Sequence, residues 1–353
     1  MKSAPTPTPD PSVTPEPTTV PEPTTPPGPG DLTADSTISV SGLETGDKVS
    51  FYQVLQFSPD AVATGGWIPA PGFTGLTEDD IQKILGLGDY ATGKAKADQA
   101  GIDVTFAARI ADMAEQTTAK YPEISEVNGT ASQADPKPVL GLYVALITPG
   151  KIGTVYNPIF VGADYTGNNQ SSNWKVNLND SYEPASMAKK GEITLTKTAS
   201  TADGNPDGVS AGDLVTFTVK TKIPEYGNDY TSAVFKVTDT LSSGLELQTG
   251  TINVYKDSAN EANLLAAADE YSAGKAYKLT KDTSADDTFT VDFFTQYILG
   301  LDAAEDIVIT YQAVVTTSAP VSVNLEKNTA TVNYSNQPTD GTGNGTLRDE
   351  TKH

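Results

Sequence analysis

The stretch Gly191-Glu192-Ile193-Thr194-Leu195-Thr196-Lys197-Thr198 alternates in the two-residue period of a β-strand. Ile193, Leu195 and Lys197 share one face, and the first two are aliphatic, so this face is expected to look into a core. A charged ammonium group in a core is costly unless it is paired or loses its charge. Two interpretations stay open: the strand ends at Lys197 and its side chain extends to water, or partners from elsewhere in the chain surround it.

Composition excludes several classes of function. The 353 residues include 45 acidic and 23 basic side chains, for a net charge of -22, so nucleic acid and anionic membrane are not expected as partners. The chain has no cysteine, and its single histidine is His353. Disulfides, thiolate chemistry, histidine triads and histidine metal sites are therefore excluded, and we expect no cofactor and no metal. No apolar run is long enough for a membrane span.

Changes in amino-acid composition along the chain predict four segments. Residues 1–33 are rich in proline and threonine and are expected to form a disordered spacer. Residues 34–187 are predicted to form a β-domain with a helical insertion. Residues 188–336 are predicted to form a second β-domain. Residues 337–353 are expected to be a linker to a further domain that this sequence lacks.

The first domain combines strand patterns with two helices. Alternation or continuous apolar runs predict strands at 37–40, 48–55, 139–147, 156–161 and 174–178. Thr77 and Asp80 resemble a capping box, Gly86 ends the helix that follows, and a second amphipathic helix fits residues 103–118.

The second domain consists of short strands separated by turn signals. They are predicted at 191–198, 212–221, 232–239, 245–255, 287–294, 306–315 and 327–334, with one short helix near 260–269. Seven such strands without a long helix are typical of an immunoglobulin-like sandwich.

Two further polar residues fall on faces that otherwise look apolar. Asp239 falls on the same strand face as Phe235 and Val237, and Asn328 falls on the same face as Val332, because alternate residues of a strand point the same way. Burial lowers the pKa of a lysine and raises that of an aspartate. A neutral amine held against an amide in a dry site could displace ammonia and leave a Lys–Asn amide. From periodicity alone, Asp239 could instead cap a turn and Asn328 could simply begin a strand.

Four motifs follow one another in the second domain: Leu195-Thr196-Lys197-Thr198, Gly212-Asp213-Leu214-Val215-Thr216-Phe217, Val237-Thr238-Asp239-Thr240-Leu241 and Asn328-Thr329-Ala330-Thr331-Val332-Asn333-Tyr334. In order and spacing they resemble the isopeptide-forming domains of Gram-positive sortase-assembled backbone pilins. The resemblance implies an all-β fold of two immunoglobulin-like (Cna-type) sandwiches in tandem. It also implies an isopeptide crosslink between Lys197 and Asn328, with Asp239 as the catalytic acid.

The first domain resembles the N-terminal domain of backbone pilins, on residues 37–43 with Gly46-Asp47 and on residues 156–161. Its first strand has no lysine at the inward place, so no crosslink is expected there. Backbone pilins offer sortase a lysine near the end of this domain, although the usual Tyr-Pro-Lys motif is missing here. Lys190 and Lys189 lie in the right region and Lys175 is a further candidate; the alternative is an exposed basic pair in a hinge.

The resemblance implies a structural subunit of a covalently polymerised pilus on the outer side of a Gram-positive cell wall, and no enzyme for external substrates. Its partners would be neighbouring pilin subunits and sortase. Because a signal peptide and a Leu-Pro-x-Thr-Gly sorting signal are absent, the chain is expected to be a fragment of a longer subunit. The alternative function is an adhesin for a glycan or matrix protein, with Trp67, Phe73, Trp174 and the helical insertion as its binding surface.

Overall fold

The structure is a computed structural model. It describes residues 32–86, 104–165, 178, 182–202, 204, 208–226, 230, 232–282, 288–317, 328–336, 338, 343 and 345–350. Residues 1–31 of the predicted spacer lie outside this part of the chain. Within it, no helix has the length and apolar character needed to span a membrane.

Among the described residues, the first half of the chain forms three sheets and two α-helices. In chain order the elements are β1 (Ile38–Ser41), β2 (Lys48–Phe57), β3 (Trp67–Pro69), α1 (Glu78–Leu85), α2 (Val104–Glu115), β4 (Ile124–Ser125), β5 (Thr130–Gln133), β6 (Gly141–Thr148), β7 (Thr154–Tyr156), β8 (Ile159–Ala163), β9 (Ala185–Met187) and β10 (Lys190–Glu192). One sheet has the order β5-β1-β9, a larger one has the order β3-β2-β6-β8 with β4 beside β2, and β7 pairs with β10 in a two-stranded sheet.

Strand β6 is central to this first sandwich because both of its faces are buried. One face carries Tyr143 and shares a core with Val40 of β1. The opposite face carries Val144 and shares a core with Ile84 of α1 and Ile110 of α2. The predicted helical insertion therefore lies over the outer face of the larger sheet, where it buries apolar side chains of that sheet.

The start and end of α1 follow from local sequence. The Asp80 N–H donates to Thr77 Oγ1 at 3.2 Å, and the Thr77 N–H donates to Asp80 Oδ2 at 2.8 Å. These bonds form the predicted capping box. Gly86 then takes a left-handed conformation with φ of 63°, which a glycine adopts without steric cost, and the helix ends there.

The second half of the chain is a sandwich of two five-stranded sheets. Its elements are β11 (Leu195–Thr201), β12 (Leu214–Ile223), β13 (Phe235–Thr240), β14 (Leu245–Leu247), β15 (Asn253–Lys256), β16 (Tyr277–Asp282), β17 (Thr288–Phe293), α3 (Thr295–Leu299), β18 (Glu305–Val315), β19 (Thr329–Tyr334) and β20 (Gly345–Glu350). One sheet has the order β11-β12-β18-β14 with β15 beside β18, and the other has the order β16-β17-β13-β19-β20. The all-β tandem fold that the sequence predicts is confirmed.

The stretch from Gly191 to Thr198 does not form one strand. Its first residues belong to β10, which pairs antiparallel with β7 of the first sandwich. A new strand, β11, begins at Leu195 and runs past Lys197 to Thr201, paired with β12. The predicted inward face holds across the break, since Ile193 and Lys197 are buried and Leu195 is partly buried against the same core. The segment therefore connects the two sandwiches by pairing first with one and then with the other.

Three other expectations for the second sandwich need correction. The predicted strand at 245–255 is two strands, β14 and β15, because Thr251 lies in a turn where its N–H donates to the Gln248 carbonyl at 2.9 Å. Strand β16 was not predicted, and the short helix near 260–269 is a single 3-10 turn at Glu261–Asn263. The segment predicted as linker contains β20, which pairs with β19. The unpaired N–H and C=O groups on the edge of β19 can form hydrogen bonds with an extended segment of almost any sequence. The turn-rich composition of residues 337–353 therefore gave no sign of this strand.

Candidate functional site

Lys197 lies in the core between the two sheets of the second sandwich. Its side chain is 0% exposed, so the alternative in which it extends to water is wrong. The strand continues beyond it, and Ala199, two residues on, is also buried. Its Nζ lies 5.5 Å from the ring centres of Phe217 and Tyr311. A cation in such a place requires polar partners close by.

Asp239 and Asn328 are these partners. Asp239 lies inside β13, opposite Ala330 of β19, so it does not cap a turn. Lys197 Nζ donates to both carboxylate oxygens of Asp239 at 2.5 Å. Asn328 directly precedes β19, and its Oδ1 accepts a hydrogen bond from Lys197 Nζ at 2.9 Å. All three side chains are fully buried, and the structure brings together the three residues that the motifs single out.

Tyr311 is a fourth member of the site that the sequence analysis did not single out. Its hydroxyl donates to Asp239 Oδ1 at 3.0 Å and accepts from Asn328 Nδ2 at 2.8 Å. A signal for it exists in the alternation of β18, where Ile309, Tyr311 and Ala313 face the core. A phenol on an inward face requires a hydrogen-bond partner there.

The four polar residues come equally from the two sheets. Lys197 and Tyr311 lie on β11 and β18 of one sheet, and Asp239 and Asn328 lie on β13 and just before β19 of the other. Aromatic rings from neighbouring strands pack against the group. Phe217 of β12 stacks on Tyr311 with ring centres 5.1 Å apart. Phe289 of β17 meets the same ring edge-on at 4.9 Å.

Burial sets the protonation of the group. It raises the pKa of Asp239 above the ordinary range of an aspartate, although the charge of Lys197 and the hydrogen bonds from Lys197 and Tyr311 oppose the rise. Burial also raises the pKa of Tyr311 well above its ordinary value, and the nearby carboxylate of Asp239 adds to this effect. Asp239 is therefore suited to hold a proton, and a proton taken from Lys197 leaves a neutral, nucleophilic amine beside an amide.

The predicted sortase lysines lie at the junction of the two sandwiches. Lys190 Nζ donates to Glu44 Oε1 at 2.6 Å, and this hydrogen bond lowers the pKa of Glu44. Lys189 is exposed, and its backbone carbonyl accepts from the Asn157 N–H at 3.2 Å. The third candidate, Lys175, lies outside the described residues.

The predicted ligand-binding surface of the first sandwich is wrong for two of its three aromatic residues. Trp67 is 2% exposed and Phe73 is 1% exposed. Both belong to the core between the larger sheet and the helical insertion, so the helices cover them. Trp174 lies outside the described residues.

Comparison with solved structures identifies the fold. The T6 backbone pilin of serotype M6 Streptococcus pyogenes, a modular three-domain structure, superposes with a TM-score of 0.61 and 18% identity over 91% of this chain and 65% of that one. The full-length major pilin SpaD of Corynebacterium diphtheriae gives 0.47 and 16%, over 92% and 66% of the two chains. The likeness to the T6 backbone pilin shows a backbone-pilin fold, which is the fold that the motifs predict.

A curated relative is similar to this chain in sequence. The trypsin-resistant surface T6 protein of Streptococcus pyogenes serotype M6 is 28% identical over 206 residues, which are 57% of this chain and 37% of that protein. The match therefore spans little more than a third of the relative. No protein-family model matches this chain.

Proposed function

We propose that this chain is a structural subunit of a covalently polymerised surface pilus, stiffened by an intramolecular isopeptide bond between Lys197 and Asn328. The observation that carries the proposal is the buried contact of 2.9 Å between Lys197 Nζ and Asn328 Oδ1, with Asp239 against the same amine. The pilin fold and the relationship to a surface T6 protein support the same function.

The reaction uses only groups already in the site. Asp239 takes a proton from the Lys197 ammonium, and the neutral amine attacks Cγ of Asn328. The Lys197 Nζ–Asn328 Cγ bond forms, the Cγ–Nδ2 bond breaks, and ammonia leaves. The reactants are held side by side in a fully buried site, so proximity lowers the barrier to a reaction that runs once. The chain is not proposed to act on external substrates.

The bond would join the two sheets of the second sandwich. Lys197 lies on β11, where the chain enters this sandwich, and Asn328 lies directly before β19 in the opposite sheet. Tension applied through these strands would load a covalent bond before it separated the hydrogen bonds of the sheets. This arrangement suits a fibre that has to transmit tension without unfolding.

Lys189 is the proposed sortase-linked residue, ahead of Lys190. Both lysines are exposed, but the amine of Lys190 is engaged by Glu44 at 2.6 Å. Neighbouring pilin subunits and sortase are the proposed partners, and the proposed location is the pilus shaft outside the cell. With Trp67 and Phe73 buried, no observation among the described residues favours the adhesin alternative.

Intact mass spectrometry tests the crosslink. The purified protein is expected to weigh one ammonia molecule less than its sequence, and a digest is expected to contain a peptide pair joined through Lys197 and Asn328. Lys197→Ala and Asn328→Ala should restore the full mass, as should Asp239→Ala. An undiminished mass in the unmodified protein would disprove the crosslink and leave the fold unaffected.

A further inference from the structure

The hydroxyl of Tyr311 connects the acid of the site to the nitrogen that has to leave. It lies 3.0 Å from Asp239 Oδ1 and 2.8 Å from Asn328 Nδ2. The same amide presents its other end, Oδ1, to Lys197 Nζ. Tyr311 therefore contacts the leaving group on the side of the amide away from the attacking amine.

An amide nitrogen leaves only after it gains a proton, because the unprotonated group is a very strong base. Asp239 is the proton source, yet its hydrogen bonds among the described residues run to Lys197 and Tyr311 and not to Asn328 Nδ2. A proton from Asp239 therefore needs a carrier to reach Nδ2. The hydroxyl of Tyr311 is within hydrogen-bond distance of both atoms, as a general acid requires.

We propose that Tyr311 is a catalytic proton relay in the crosslinking reaction, an inference that rests on the proposed function. After the amine of Lys197 attacks Cγ of Asn328, the Tyr311 hydroxyl gives its proton to Nδ2 and takes one from the Asp239 carboxyl. The Cγ–Nδ2 bond breaks with its electron pair on nitrogen, and ammonia leaves. The carbonyl re-forms, and the Lys197 nitrogen gives its extra proton to the Asp239 carboxylate, so atoms and charge balance.

The starting hydrogen bonds run in the opposite direction, and the attack itself reverses them. Before attack, Asn328 Nδ2 donates to Tyr311, and Tyr311 donates to Asp239. Attack converts Cγ into a tetrahedral centre, so the lone pair of Nδ2 is no longer delocalised and can accept. Protonated Asp239 can then donate to the hydroxyl, which both donates and accepts and can rotate to do so. The rings of Phe217 and Phe289 pack against Tyr311. They shield the site from bulk water, so the proton is transferred through the hydroxyl of Tyr311.

The experiment follows crosslinking from the moment the chain is made. The full chain is synthesised in a cell-free system, samples are denatured at successive times, and the fraction lacking one ammonia is measured by mass. Tyr311→Phe keeps the ring and removes the hydroxyl, and we expect its crosslinking to be about 100-fold slower or more. Tyr226→Phe is the matched control because it removes another buried hydroxyl of the same sandwich, one that donates to the Ser335 carbonyl at 3.0 Å. It should crosslink at the unmodified rate.

A second substitution separates a relay from a residue that only holds the amide in place. Ring-fluorinated tyrosine at position 311 keeps the hydroxyl and makes it more acidic, so the rate should change if the hydroxyl transfers a proton. An unchanged rate with fluorinated tyrosine, or a normal rate in Tyr311→Phe, would overturn the relay while the crosslink stands. If the unmodified protein loses no ammonia, the proposed function itself fails. Circular dichroism of each variant checks that it has folded.

Discussion

The Nζ of Lys197 and the Oδ1 of Asn328 lie 2.9 Å apart although 131 residues separate them in the chain. They face each other across the core, one from each sheet of the second sandwich. Each is fully buried, and each also contacts a further buried polar group, Asp239 or Tyr311. Four polar groups in an apolar core cost stability, so this arrangement suits a chemical role better than a purely structural one.

Asp239→Asn is expected to yield a folded protein without the crosslink, because an amide has nearly the same shape as the carboxyl but cannot take the proton of Lys197. Closing a loop over 131 residues restricts the unfolded chain. The relation used for disulfides puts this effect at about 5 kcal/mol of unfolding free energy. Urea unfolding should show at least this loss of stability. Mass spectrometry of the same variant should give the full mass of its sequence. A variant that still lacks one ammonia molecule would show that Asp239 is not required.

Lys197→Met should make stability depend on pH through Asp239. Burial raises the pKa of this carboxyl even with Lys197 present, and removing the cation removes an opposing effect. The folded state then keeps a proton that the unfolded state releases above about pH 3.9. The contribution of Asp239 to the free energy of unfolding is therefore expected to be fully present below that pH. It should fall by about 1.4 kcal/mol per pH unit as pH rises toward the raised pKa.

The control for this pH effect is the double variant Lys197→Met with Asp239→Asn. It carries the same background of acidic residues but lacks the buried carboxyl. Urea unfolding at a series of pH values should give a flatter profile for the double variant. Equal profiles for the two proteins would contradict the assigned shift of Asp239.

Tyr334→Phe should weaken the junction between the sandwiches. The Tyr334 hydroxyl at the end of β19 accepts the backbone N–H of Gly153, in the first sandwich, at 2.5 Å in a buried site. Tyr334→Phe removes this acceptor from a buried N–H, which costs about 1–3 kcal/mol. Urea unfolding should detect the loss. Tyr271→Phe, at a side chain 46% exposed, is the control and should change stability by less than about 0.5 kcal/mol.

Lys189→Arg is expected to abolish attachment by sortase, whereas Lys190→Arg is expected to leave it largely intact. Arginine keeps the positive charge, and therefore the ion pair with Glu44, but supplies no nucleophilic amine. The measurement is mass spectrometry of the adduct formed with sortase and a peptide that carries a sorting signal. If Lys190→Arg alone removed the adduct, the order of the two lysines would be reversed.

Local pattern predicted much of this fold. The alternation around Lys197, Asp239 and Val332 put the right side chains on inward faces, and the capping box of Thr77 and the stripe of the second helix predicted both helices. These features depend on neighbours a few residues away, so one sequence is enough to read them. Strand β20 was missed because its segment has the composition of a turn and becomes a strand by pairing with β19. The split of the opening stretch was missed because β10 pairs with β7, more than 30 residues earlier in the chain.

By itself the sequence determined which chemistry was possible: without cysteine, and with its only histidine at the end of the chain, it offers amines, carboxyls, amides and phenols. It also determined the inward parity of the residues that carry that chemistry. Only the tertiary structure decided that Lys197, Asp239, Asn328 and Tyr311 meet. Parity specifies a face, whereas the register between strands and the packing of one sheet on the other specify which buried groups come within hydrogen-bond distance.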